Sequence, residues 1–170
     1  MIIEKNIQHL QQLEEFLLKI DTKNYSRVSQ LLNEASIGKH IRHILEYYIC
    51  LMNQGVIINY DLRPRNTLIE TNPLVAIKSI HEIIVYLRSA AESLQVFIYA
   101  NDRQLPIRSF LAREILYCYE HSIHHQAMIK IALIEFNLGH FIEEDLGVAP
   151  STLAYRSSNN SIATEKNTAY

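Results

Sequence analysis

The chain has 170 residues, 48% of them hydrophobic and 20% charged, with a net charge of -2. That length fits one domain with its own core, and so apolar a composition excludes a disordered chain. The near-neutral balance leaves no electrostatic footprint for nucleic acid, and no apolar run approaches the roughly 18 residues that a membrane span needs.

Glycine and proline contribute four residues each, roughly 5% against a usual figure of about 12%. Such scarcity argues against turn-rich β-sandwiches and glycine-rich nucleotide folds, and for long helices. The Met-Ile-Ile-Glu start is too short and too acidic for a signal peptide. Two cysteines make no disulfide framework, so a reduced, cytoplasmic protein is expected.

In chain order, Ile3, Ile7, Leu10, Leu13, Leu17 and Ile20 fall on one face of a first helix over 4–20. A second helix begins at Ser36, a capping residue, and runs to Asn53, with Ile37, Ile41, Ile44, Leu45, Tyr48 and Met52 as its stripe. The stretch from Gly55 to Asn72 is too long for a tight antiparallel turn, so it forms a crossover. Val56-Ile57-Ile58-Asn59-Tyr60 has strand-like composition, but no sheet is expected from it. Asn72 and Pro73 cap and open a third helix, whose seam is Ile77, Ile80, Ile84, Leu87, Ala91 and Leu94. Its second apolar line, Ala76, Ile83 and Ala90, is the expected pairing surface of a homodimer. A fourth helix runs from Ser109 to Leu138, with Gly139 as its C-cap. These elements predict an all-α fold: a four-helix bundle over residues 1–155, with a long crossover connection between helices 2 and 3. Residues 156–170, rich in serine and asparagine, read as a flexible polar tail.

Eight histidines are about twice a typical share. His121 and His125 stand one turn apart on the fourth helix, on the face that carries Phe110, Leu111, Met128, Ala132 and Phe136. Spacing of i, i+4 offers two imidazole nitrogens to one metal. The competing reading is a pair of core histidines bonded to backbone or tyrosine, and residue type alone leaves the two balanced. A third ligand would come from the second helix, where periodicity favours His40, on the edge of the apolar stripe, over His43. His9, His81 and His140 read as surface or boundary residues, and His124 as a border residue.

Ser36-Ile37-Gly38-Lys39-His40-Ile41-Arg42-His43, followed by His121-Ser122-Ile123-His124-His125, resembles the DinB-like (DinB/YfiT, DNA-damage-inducible) metal-binding family. Tyr60-Asp61-Leu62-Arg63, Arg113-Glu114 and Gly147-Val148-Ala149-Pro150-Ser151 extend the similarity over residues 5–155. The resemblance implies a four-helix bundle, commonly dimeric, that holds nickel or zinc through three histidines. On the family's pattern these are His43, rather than His40, with His121 and His125.

Three neutral imidazoles leave the full charge on the metal and an open coordination position, the pattern of catalytic rather than structural sites. The resemblance then implies S-transferase chemistry: a low-molecular-weight thiol as cosubstrate, activated for attack on a small electrophilic substrate such as a toxin. Metal-assisted hydrolysis, with water as nucleophile, is the close alternative. A non-catalytic metal-binding or protein-interaction bundle involved in stress response is the reading from another class. No catalytic residue is assigned, and no nucleic acid or membrane partner is expected. Around the metal, Tyr47 could donate to a bound group but reads more readily as core. Glu114 lies two turns before His121, either orienting an imidazole or pairing with a basic residue of a neighbouring helix. Asp61, Arg63 and Arg65 on the crossover would suit a substrate carboxylate or phosphate, or form a solvated loop. Cys50 and Cys118 read as buried, inert thiols.

Overall fold

A computed structural model describes residues 2–100 and 105–167, with side chains described up to 158. The chain is mostly helical. Four long helices dominate it: α1 (Ile2–Lys19), α3 (Ile37–Asn53), α5 (Pro73–Ser89) and α6 (Leu111–Glu135). Each packs against two of the others, α3 and α1 both touching α5 and α6. Short helices α2 (Thr22–Ser26) and α4 (Thr67–Thr71) pack on α3, and α7 (Pro150–Asn167) closes the chain. That last helix runs through most of the polar stretch expected as a tail.

The predicted starts are built as their capping chemistry requires. Ser36 Oγ accepts the Lys39 N–H at 3.0 Å, and Asn72 Oδ1 accepts the Leu74 N–H at 2.9 Å ahead of Pro73. The α1 seam is buried from Ile7 to Ile20, and Ile37, Ile41, Ile44, Leu45 and Tyr48 bury the stripe of α3. Asn6 clasps the two helices: wholly buried, it accepts the Tyr48 hydroxyl at 2.7 Å.

Several boundaries differ from expectation. The third predicted helix does not continue to Leu94. It ends at Ser89, and Ala91 and Leu94 are exposed in the turn beyond it. The residues after them form a sheet that sequence periodicity missed. β3 (Ile57–Ile58) lies parallel to β4 (Gln95–Ile98), and β4 pairs antiparallel with β5 (Ile107–Phe110). Val96 and Ile58 are wholly buried there, so the strand-like composition of 56–60 does report a strand. A second ladder joins β1 (Val28–Ser29) to β2 (Ala35–Ser36).

Helix α6 starts at Leu111, not at Ser109. It needs no capping side chain, because Leu94 O and Glu92 O accept the N–H groups of Leu111 and Ala112. It ends at Glu135. Asn137, at φ 58°, takes the left-handed position expected of Gly139, which instead opens a 3-10 turn. The Ala76/Ile83 line expected to face a second copy is buried in the core. The reason is that α5 is covered by α1, α3 and α4 together. Among the described residues no helix is long and apolar enough to cross a membrane.

Candidate metal centre

The contact between α3 and α6 brings His43, His121 and His125 together. One nitrogen of each lies within 4.8 Å of the other two. The rings converge, with centroids 4.5 Å apart for His43 and His125, 4.6 Å for His121 and His125, and 5.1 Å for His43 and His121. The Nε2 atoms of His121 and His125 are 3.1 Å apart. Two nitrogens each about 2.0–2.1 Å from a shared ion stand about 2.9–3.4 Å apart, so this pair already has a metal's spacing. The donor set is all imidazole, which suits zinc and nickel.

All three rings are half-buried, not sunk in the apolar core. The most buried face of α6 is instead Leu111, Ile115, Cys118, Ser122, Ile129 and Leu133, while Phe110 is half exposed on β5. The histidines occupy the flank beside that face. On α3 the matching flank carries His40, His43 and Tyr47, at i, i+3 and i+7. Reach to a neighbouring helix, rather than depth in the core, brings His43 to His121 and His125, so the apolar stripe favoured His40 over the histidine that converges.

His40 nonetheless belongs to the cluster. Its Nδ1 is 2.9 Å from Nδ1 of His125. Were His125 to present Nε2 as a lone pair toward His43 and His121, its Nδ1 would carry the proton and donate to His40. His40 Nε2 is buried and has no hydrogen-bond partner among the described residues. His124 is exposed, its ring 5.2 Å from that of His125.

Burial holds the three histidines neutral. It lowers His43 and His121 to about 4 and His125 to about 3, with neighbouring cations and histidines adding to the effect. At neutral pH each ring therefore keeps a lone pair free.

An aromatic wall flanks the cluster. Tyr47 packs 4.2 Å from His121 by centroids and stacks on Tyr60 at 4.9 Å. Tyr117 stacks on His121 at 5.7 Å. Glu114 fixes the wall from behind, and both expectations for it are corrected. Among the described residues it meets no imidazole and no base from a neighbouring helix. Its buried carboxylate accepts the Tyr60 hydroxyl at 2.8 Å and the Ser109 hydroxyl at 2.6 Å, with its own neighbour Arg113 at 3.5 Å. The Tyr60 hydroxyl is correspondingly pushed up, by burial first and by nearby acidic groups second.

Of the crossover residues, Arg63 reaches the wall. Its guanidinium lies 5.2 Å over the Tyr47 ring, Nη1 donates to Tyr60 O at 2.5 Å, and its charge depresses His43 and His121. Asp61 and Arg65 are exposed, Arg65 with a left-handed φ of 50°. Cys50 and Cys118 are buried, and burial raises Cys50 to about 11 and Cys118 well above its usual range, so neither is a thiolate at neutral pH.

Two features escaped sequence reading. His9 is not a surface residue. It is buried against Ser122 Oγ on the most buried face of α6, edge-on to Tyr119. Its spacing from Asn6 and Leu13 along the buried face of α1 was the available signal. Glu46 is wholly buried on α3, accepting the Asn66 N–H at 2.7 Å and tying the crossover down beside Arg42. His81, by contrast, is exposed and meets Glu14 at 2.6 Å, and His140 is exposed.

No protein-family model matches the chain, and no solved structure matches it. Among curated proteins, FK506-binding protein 5 of Rhizopus delemar is similar, at 35% identity over 107 residues. The match takes in 58% of this chain and spans 27% of the Rhizopus protein.

Proposed function

We propose that the chain is a metal-dependent enzyme of DinB-like type, a four-helix bundle whose His43, His121 and His125 hold one divalent ion, zinc or nickel. The observation that carries this is the convergence of three neutral imidazole nitrogens from two helices on one point. The mutual packing of α1, α3, α5 and α6 supports the bundle, and the long α3–α5 connection supports the crossover. A cytoplasmic homodimer is part of the same reading.

A bound ion supplies positive charge that lowers the pKa of a thiol or water at its free position, giving a nucleophile near neutral pH. The chain's own groups prepare that position. His40 holds the His125 ring in the tautomer that presents Nε2. Tyr47, Tyr60 and Tyr117 wall one side against water. Arg63 adds a fixed cation that favours an anionic nucleophile or substrate beside the cluster. With both cysteines buried and protonated, the sulfur must come from outside the chain, as a low-molecular-weight thiol cosubstrate attacking a small electrophile. Water in place of the thiol makes the same centre a hydrolase.

Cobalt-substituted protein titrated with 2-mercaptoethanol tests this. Thiol activation predicts a sulfur-to-cobalt charge-transfer band in the near ultraviolet. Cobalt binding with no such band, at any thiol concentration up to tens of millimolar, rejects the S-transferase reading. Cobalt binding without turnover of thiol or ester substrates leaves the non-catalytic metal-binding bundle.

A further inference from the structure

We propose that the cleft between the β4–β5 hairpin and the start of α6 is the substrate cleft of this centre, and that it takes a small molecule bearing an anionic group on an apolar body. The inference rests on the metal-site reading above.

The cleft measures about 440 Å3, within the roughly 300–1,000 Å3 of small-molecule sites. Its walls combine two kinds of surface. Ile107 and Phe110 are 45% and 52% exposed, large apolar side chains left open on a strand. Beside them stand Arg108 and Arg113. Arg108 is exposed, with no carboxylate at ion-pair distance among the described residues. Arg113 lies 5.2 Å over the Tyr117 ring, and among the described residues its one ion pair is the 3.5 Å approach to Glu114. The Glu114 oxygens are already occupied by the shorter bonds from Tyr60 and Ser109. Both guanidiniums therefore keep donors for a carboxylate, sulfonate or phosphate, which their planar forks bind in pairs.

Tyrosine side chains join the cleft to the metal centre. Tyr117 lines the cleft and stacks on His121. Tyr60 lines it as well, and stacks on Tyr47, which packs on the same histidine. An anion held by Arg108 and Arg113 would thus place its apolar body along a tyrosine wall that ends at the ligands. Ile107, Arg108 and Phe110 come from β5, so a purely helical reading of the sequence could not have brought them beside Arg113 on α6.

Binding of 1-naphthoate and of its neutral analogue 1-naphthalenemethanol, followed by NMR on protein with and without cobalt, tests the proposal. The chain has no tryptophan, so the naphthalene fluorescence gives an independent titration. Naphthoate is expected to bind at least tenfold more tightly, and the Arg108→Gln/Arg113→Gln variant to lose that preference while keeping its metal stoichiometry. In cobalt-loaded protein, the naphthoate ring protons are expected to relax faster than in zinc-loaded protein. Equal binding of the two probes, no saturable naphthoate binding up to millimolar concentration, or a preference kept by the double variant overturns the anion cleft. If cobalt binds and the ring protons feel no paramagnetic relaxation, the cleft does not serve this centre. If cobalt fails to bind at all, the metal-site reading fails, and with it the cleft's role as that centre's substrate site. The comparison of the two probes still decides whether the cleft binds anions.

Discussion

His125 is the residue on which the cluster turns, because both of its ring nitrogens meet other histidines, at 2.9 Å and 3.1 Å. Replacing His40 by alanine removes the partner of its Nδ1 while leaving all three proposed ligands. We expect zinc affinity to fall about 10- to 100-fold, measured by competition with a chromophoric chelator, with the thermal midpoint of the metal-free protein tracked as a control. His81→Ala, which removes an exposed contact to Glu14, should leave zinc affinity unchanged. His9 gives a prediction about pH. Burial lowers it from 6.5 to about 4, so the folded state resists a proton that the unfolded chain accepts. Its contribution to stability is therefore complete above pH 6.5 and is lost as the pH falls from there to 4. The full loss is on the order of 3 kcal/mol. Urea unfolding of metal-free protein should show this decline, with a shallower slope for His9→Gln. An unchanged slope would mean that His9 is solvated in solution.

Among the elements, α4 sits where the crossover meets α3, and Gly38 sets how closely it approaches. A Cβ at position 38 would stand 2.0 Å from Glu70 O and 2.7 Å from the Tyr25 ring. Tyr25 is itself anchored, its hydroxyl donating to Ile69 O at 2.7 Å. Neither the backbone nor that ring can give way cheaply, so Gly38→Ala should cost about 1–3 kcal/mol in chemical denaturation. Gly55 has a φ of 67° but open space around it. Its alanine variant should lose only the left-handed preference, about 1 kcal/mol. The helices themselves were legible in the sequence, because Ser36, Asn72 and Pro73 cap locally and the α1 and α3 stripes depend only on helical period. The end of α5 was not. Ala90–Leu94 carries no breaker, and what stops the helix is the pairing of Gln95–Ile98 with Ile57–Ile58, more than 35 residues earlier in the chain. Strand pairing at that distance leaves no local mark beyond β-branched composition.

In the whole molecule, the site is where α3 and α6 touch, and its legibility divides along the same line. The His121/His125 pair could be read from one helix, since i, i+4 spacing fixes both on one flank. The partner on α3 depended on how two helices pack, and the apolar stripe favoured His40 where the convergence takes His43. The aromatic wall was hidden for the same reason, because Tyr47, Tyr60 and Tyr117 come from α3, the crossover and α6. The account's central claim is that His43, His121 and His125 hold a single divalent ion, and metal analysis of the whole chain after equilibrium dialysis against zinc tests it most directly. One zinc per chain is predicted for the wild type, and under one tenth for His121→Ala, with the helical circular dichroism of both proteins the same. A folded His121→Ala protein that still holds one zinc per chain would contradict the claim.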